Sequence, residues 1–191
     1  MSCRAGFVWA TPQHFNRFIE ECGIGCELLT PHMLAAPFYR PTLNCLIIPT
    51  GFANPAYSNL LPALRASAPR IRKFLENGGS LLVFGAAVDK ADAYDWLPFA
   101  ITYHHDFRPR AVSCAPGSCA ATLVRDYNPA AIECDGTFPQ HKGDTAGTSE
   151  SSAVIIEKRI GSGVVVVTSV HEYPSKLFLK EFCARAPPTR F

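Results

Sequence analysis

The densest grouping of reactive side chains runs from Ile132 to Asp144, where a thiol (Cys134), carboxylates (Glu133, Asp135), an imidazole (His141) and an ammonium (Lys142) share one short segment. A thiol beside an imidazole is the pairing that generates a thiolate nucleophile, so Cys134 with His171 or His141 as its base points to hydrolase or transferase chemistry. The same residues also suit a polar surface loop that turns at Asp135-Gly136. His171-Glu172 follows an apolar run and offers a base and a carboxylate. In His104-His105-Asp106, neighbouring side chains of an extended segment diverge, so both histidines reach one ion only across a bend, and their spacing fits no common metal motif. Cys114-x4-Cys119 brackets a Pro-Gly turn, but no second cysteine pair stands at zinc spacing. These patterns predict neither a metal nor a cofactor.

The elements that must position these groups read as a doubly wound α/β domain. Gly6 to Ala10 is a short apolar run of the type found in strands covered on both faces, and Gln13 to Cys22 is helical with Gly23 as its stop. Cys26 to Leu29 and Asn44 to Ile48 are further strands. From Tyr57 the pattern turns helical, with Ile71, Phe74 and Leu75 on one face, and Asn77-Gly78-Gly79 ends that helix before the strand Ser80 to Phe84. Strand, helix and strand in this order predict a parallel crossover. Arg110 to Ser113 and Ala120 to Arg125 are weaker strand candidates, and the small polar stretch Thr145 to Ser152 reads as a mobile loop. Ala153 to Lys158, a turn at Gly161-Ser162-Gly163 and Val164 to Thr168 form a β-hairpin, and Lys176 to Arg185 is a closing helix. No repeat, low-complexity tract or linker divides the chain, so residues 1–191 are expected to make one flavodoxin-like domain: a mostly parallel sheet, helices on both faces and a C-terminal hairpin.

The segment Phe74-Leu75-Glu76-Asn77-Gly78-Gly79-Ser80-Leu81-Leu82-Val83-Phe84-Gly85-Ala86-Ala87 resembles the helix, Gly-Gly turn, strand and elbow of class I glutamine amidotransferase-like proteins. It is most similar to the type at the N-terminus of some biotin-protein ligases. Pro49-Thr50-Gly51 resembles the family loop that supplies oxyanion donors, and Gly163 to Glu172 resembles its last core strand with the catalytic His and Glu. The family elbow reads Gly-x-Cys-x-Gly. Aligned through Gly78-Gly79, the cysteine position falls on Gly85, or on Ala86 with a one-residue shift, and neither carries a nucleophile. His171 and Glu172 are adjacent where the family separates them by one residue, so they point to opposite sides of an extended chain. The resemblance therefore implies the fold without glutamine hydrolysis.

Open parallel sheets bind ligands beyond the carboxyl ends of their strands, where strand order reverses. That rim should gather Thr50, Gly51, Asn54, Gly85, Ala86 and His171, with Asp135 and His141 supplied by the polar segment, and the amides after Gly85 should open a helix able to hold an anion. The expected function is a nucleophile-less domain that binds a small ligand or a protein partner there. The alternative is an enzyme using Cys134 with His171, with Glu172 as a further catalytic candidate. An apolar patch near Phe52 or Trp96 would mark a purely structural partner protein. A net charge of +2, with scattered basic residues, gives no reason to expect nucleic acid, and no segment is apolar and long enough to suggest a membrane. Homo-oligomerisation stays open. Eight cysteines without a leader-like N-terminus are read as free thiols in a reducing, cytoplasmic setting.

Overall fold

Five short apolar runs lie side by side as parallel strands: β1 (Arg4–Val8), β2 (Gly25–Leu29), β4 (Cys45–Ile48), β5 (Ser80–Val83) and β11 (Gly163–Thr168), in the spatial order β2-β1-β4-β5-β11. The computed structural model describes residues 3–191. Counting only these five strands, the order is the flavodoxin-like 2-1-3-4-5, which reverses between β1 and β4. Beyond β11 the sheet continues antiparallel through β10 (Ser152–Ile160), β9 (Asp144–Ser149) and β7 (Ser113–Cys114), giving eight strands. A ribbon of β6 (His104–Arg110) and β8 (Ile132–Thr137), and another of β3 (Thr42–Leu43) and β12 (Thr189–Arg190), stand apart from the sheet. Single bridges, Cys134 to Val170 and Phe138 to Ala153, tie the first ribbon to the sheet.

Period-two alternation sorts each central strand into two cores. Leu46, Ile48, Leu81, Val83, Val165 and Val167 pack with Leu64, Ile71, Phe74 and Leu75 of α3 (Leu60–Glu76) and with Leu34 of α2 (Pro31–Ala35). Cys45, Ile47, Leu82 and Val166 face the other way, onto Phe15 and Ile19 of α1 (His14–Glu21) and Phe178 and Phe182 of α4 (Lys176–Arg185). Residues buried on both faces explain why these strands read as unbroken apolar runs rather than alternating ones.

Three sequence expectations fail. The chain after β5 makes successive turns from Lys90 to Leu97 rather than a helix, so no helix N-terminus faces the rim there. Ala120 to Arg125 is likewise a series of turns, whose apolar Ala120, Leu123 and Val124 fill the second core. Thr145 to Ser152, expected as a loop, is mostly β9 and its turn into β10; ladder hydrogen bonds to an established neighbour outweigh weak strand propensity. Phe52 and Trp96 are buried and pack edge to face, so they make no exposed patch. All eight cysteines are unpaired, and no described helix is long and apolar enough to cross a membrane.

Phe74 shows how the helix layer is fixed. Its ring lies where any side chain at Gly79 would project, and its edge meets Phe191. Phe74→Ala is expected to lower stability by about 3–5 kcal/mol in denaturant unfolding. A loss under about 1 kcal/mol would show that this face of α3 is not the packed one.

Candidate functional site

Alternation along β8 decides the site. Cys134 points into the second core beside Phe7, Phe84 and Val170, fully buried, and burial pushes its thiol up to about 12. It makes no hydrogen bond to His171, so the expected Cys134–His171 nucleophile pair is not formed. Its neighbour Asp135 necessarily faces the other way. The amide of Asp135 donates to the Ser169 carbonyl at 2.6 Å, anchoring the ribbon against the chain that follows β11.

Asp135 is only 2% exposed, yet its carboxylate is well partnered. Oδ1 accepts from His171 Nδ1 at 2.8 Å, and Oδ2 accepts the Thr50 hydroxyl, which also lies 3.2 Å from the Gly85 carbonyl. The Asp135 carbonyl accepts from His105 Nδ1 at 2.7 Å and from the Tyr103 hydroxyl at 2.9 Å. Carbonyl and carboxylate oxygens only accept, so they fix a proton on Nδ1 of both imidazoles and leave each Nε2 as the free ring nitrogen. The hydrogen bond to Asp135 raises the His171 pKa above the ordinary imidazole value, against desolvation, with the Asp135, Glu133 and Glu172 charges adding to it.

Gly85 is buried directly against this carboxylate: a Cβ there would lie 2.6 Å from Asp135 Oδ2 and 2.7 Å from its Cβ. The strained residue of the turn is Ala87, with φ of 52°, two positions beyond the expected cysteine equivalent. Positive φ at a residue with a Cβ marks the elbow itself. The sharp turn after β5 is therefore centred on Ala87 rather than Gly85, a register legible only from the backbone. Asn54, expected to touch ligand, instead holds the elbow by donating to the Ala87 carbonyl at 2.9 Å. Ala86 is wholly buried in the first core. The Tyr94 hydroxyl donates to the Phe84 carbonyl at 3.2 Å, and the Gly51 amide donates to the Gly85 carbonyl at 2.8 Å.

Above these groups two adjoining recesses of about 160 and 550 Å³ share Trp9, Thr50 and His171. The smaller is lined by Phe15, Phe84 and Tyr173 as well, and the larger by Gly51, Tyr57, Ala87, His105, Phe107 and Asp135. They open outside β1 and β4, where strand order reverses. Tyr57 and Phe107 are 66% and 52% exposed, so the cleft has aromatic walls and a polar floor. Sequence reasoning misses Trp9, His105 and Phe107 as wall residues; it marks His105 only as a metal candidate.

The remaining candidates lie elsewhere. His141 bonds Gly143 and Thr145 in a separate recess lined by Ala100 to Thr102 and Pro139 to Lys142, away from the cleft. Glu172 does not orient His171; its Oε1 accepts from the Glu133 amide at 2.8 Å. His104 pairs with Asp89 at 3.3 Å on the surface. Among the described residues no three His, Cys, Asp or Glu side chains converge as metal ligands.

No protein-family model matches the chain, and no curated protein sequence does. Solved structures share the fold. A Thermoplasma acidophilum protein, proposed to be one component of a GMP synthase, superposes with a TM-score of 0.63 at 12% identity, over 96% of this chain and 94% of that one. A cytoplasmic protein of Salmonella typhimurium LT2 gives 0.53 at 12% identity over 95% of both chains. The cold-adapted β-galactosidase of Rahnella sp. R3 gives 0.56 at 9% identity, with 96% of this chain covering 30% of that one. Such identities show a shared fold alone.

Two cysteine substitutions separate the elbow from its support. Ala87→Cys keeps a Cβ at the same positive φ and is expected to fold normally, with a thiol lining the same recess as His171 that iodoacetamide alkylates about tenfold faster than the native cysteines. Gly85→Cys is expected to cost about 2–4 kcal/mol in thermal or denaturant unfolding, because its Cβ displaces the buried carboxylate. Reversal of this order would return the elbow to Gly85.

Proposed function

We propose that the chain is a glutamine amidotransferase-like domain that does not hydrolyse glutamine and binds a small ligand in the cleft over Asp135 and His171. The observation that supports this is the supported imidazole retained at an elbow whose own residue is alanine. A ligand seated there meets aromatic faces from Trp9, Tyr57 and Phe107 and two imidazole nitrogens held in fixed orientation. Concave sites with apolar walls and few fixed polar groups are built for small molecules. The likeness to the biotin-protein ligase type rests on the Phe74 to Ala87 segment alone, and the chain is better grouped with members of the superfamily that have no elbow nucleophile. A cytoplasmic setting suits its eight unpaired thiols.

The Asp135–His171 pair favours a second reading, in which the same cleft is catalytic. With Nδ1–H held by a carboxylate, Nε2 is oriented to take a proton from water or a ligand hydroxyl, without a protein nucleophile. Turnover abolished by His171→Ala, in a protein of unchanged fold, would select it.

Ligand-observed NMR with a panel of small carboxylates, phosphates and ring-bearing metabolites tests the binding site. A true ligand is expected to bind about tenfold or more weakly to His171→Ala and His105→Ala. Ligands that bind both variants at full affinity would place binding outside the cleft.

The raised pKa of His171 fixes a pH signature. A histidine whose folded pKa exceeds its unfolded value contributes stability that is complete below the unfolded pKa and is lost as pH rises through the folded one. The stability gap between wild type and Asp135→Asn is therefore expected to widen as pH falls through the raised folded pKa of His171 to below its ordinary imidazole value, and the His171 ring resonances to titrate lower in the variant. A pH-independent gap would mean that the pair carries no charge.

A further inference from the structure

At the amino end of the sheet, opposite the cleft, four thiols from separate elements come together. Cys45 opens β4, Cys26 lies on β2, Cys3 precedes β1 and Cys183 projects from α4. Cys45 and Cys183, 138 residues apart in sequence, stand with their sulfurs 3.1 Å apart, both buried. Cys3 and Cys26 are partly exposed, and the Cys26 sulfur accepts from Asn16 Nδ2 at 3.4 Å. Packing does not require this, since each position would accept another small apolar residue.

We infer that Cys45 and Cys183 are an oxidation site, joined into a disulfide by a hydroperoxide. A disulfide bond is about 2.05 Å long, so the sulfurs need approach by only about 1 Å. The contact within the pair divides its chemistry: it lowers the pKa of Cys183 and raises that of Cys45. That gives Cys183 the thiolate character that attack requires.

The steps balance. The Cys183 thiolate is oxidised to a sulfenic acid as the peroxide O–O bond breaks and an alcohol, or water, departs. The Cys45 thiol attacks the sulfenic sulfur, forming the buried disulfide, and the displaced hydroxide leaves as water with the Cys45 proton. Two electrons pass from two thiols to one peroxide. The product ties α4 to the central strand β4.

The test treats the whole protein with hydrogen peroxide, and separately with tert-butyl hydroperoxide. N-ethylmaleimide in denaturant then blocks remaining thiols, and proteolytic peptides are mapped by mass spectrometry without reductant. The expected product is a Cys45–Cys183 linked peptide that dithiothreitol abolishes. It should form at the wild-type rate in Cys3→Ser and Cys119→Ser. Separately alkylated Cys45 and Cys183, after Cys114 and Cys119 have oxidised, would overturn the site.

Discussion

The Asp135 carboxylate is the interaction on which the rest of the site depends. It is sealed from water, so its charge is tolerable only with partners at both oxygens, and the fold supplies them from opposite ends of the sequence: Thr50 after β4 and His171 after β11. Gly85 gives it room, because nothing larger than hydrogen fits between the end of β5 and the carboxylate. One buried charge thus ties the ends of three adjacent parallel strands to the separate β6–β8 ribbon.

The parallel sheet makes this convergence possible. Strands that all run one way deliver their following loops to one edge, and the reversal between β1 and β4 leaves a crevice there. Trp9 and Thr50 enter it because they follow those two strands, and the ribbon closes it from the far side with His105 and Phe107. Rigidity comes from burial on both faces, through the two cores that alternate residues of β4, β5 and β11 fill. Loops set on such strands hold side chains in place without ordering cost at binding.

At this edge the imidazole and its carboxylate come from different elements. The carboxylate that holds His171 comes from β8, far away in sequence, while Glu172 turns aside to cap the Glu133 amide. Ala87 holds the strained backbone of the turn after β5 and carries no reactive atom.

The sequence alone determined the five apolar strands, the helix ending at Asn77-Gly78-Gly79, the terminal hairpin and the helix from Lys176 to Arg185, because burial on both faces and turn glycines leave a local pattern. It also pointed to Thr50, Gly51, Gly85 and His171 as rim residues, since strand order dictates which loops share an edge. Tertiary structure alone decided which member of Cys134-Asp135 serves the cleft: adjacent strand residues face opposite ways, and only the docked ribbon sets which way is inward. It alone moved the elbow from Gly85 to Ala87, whose sign of φ leaves no trace in an alanine, and turned Thr145 to Ser149 into a strand through pairing with β10. Long-range partners chose these outcomes, and a contact between residues 36 apart, such as His171 with Asp135, is written in no local spacing.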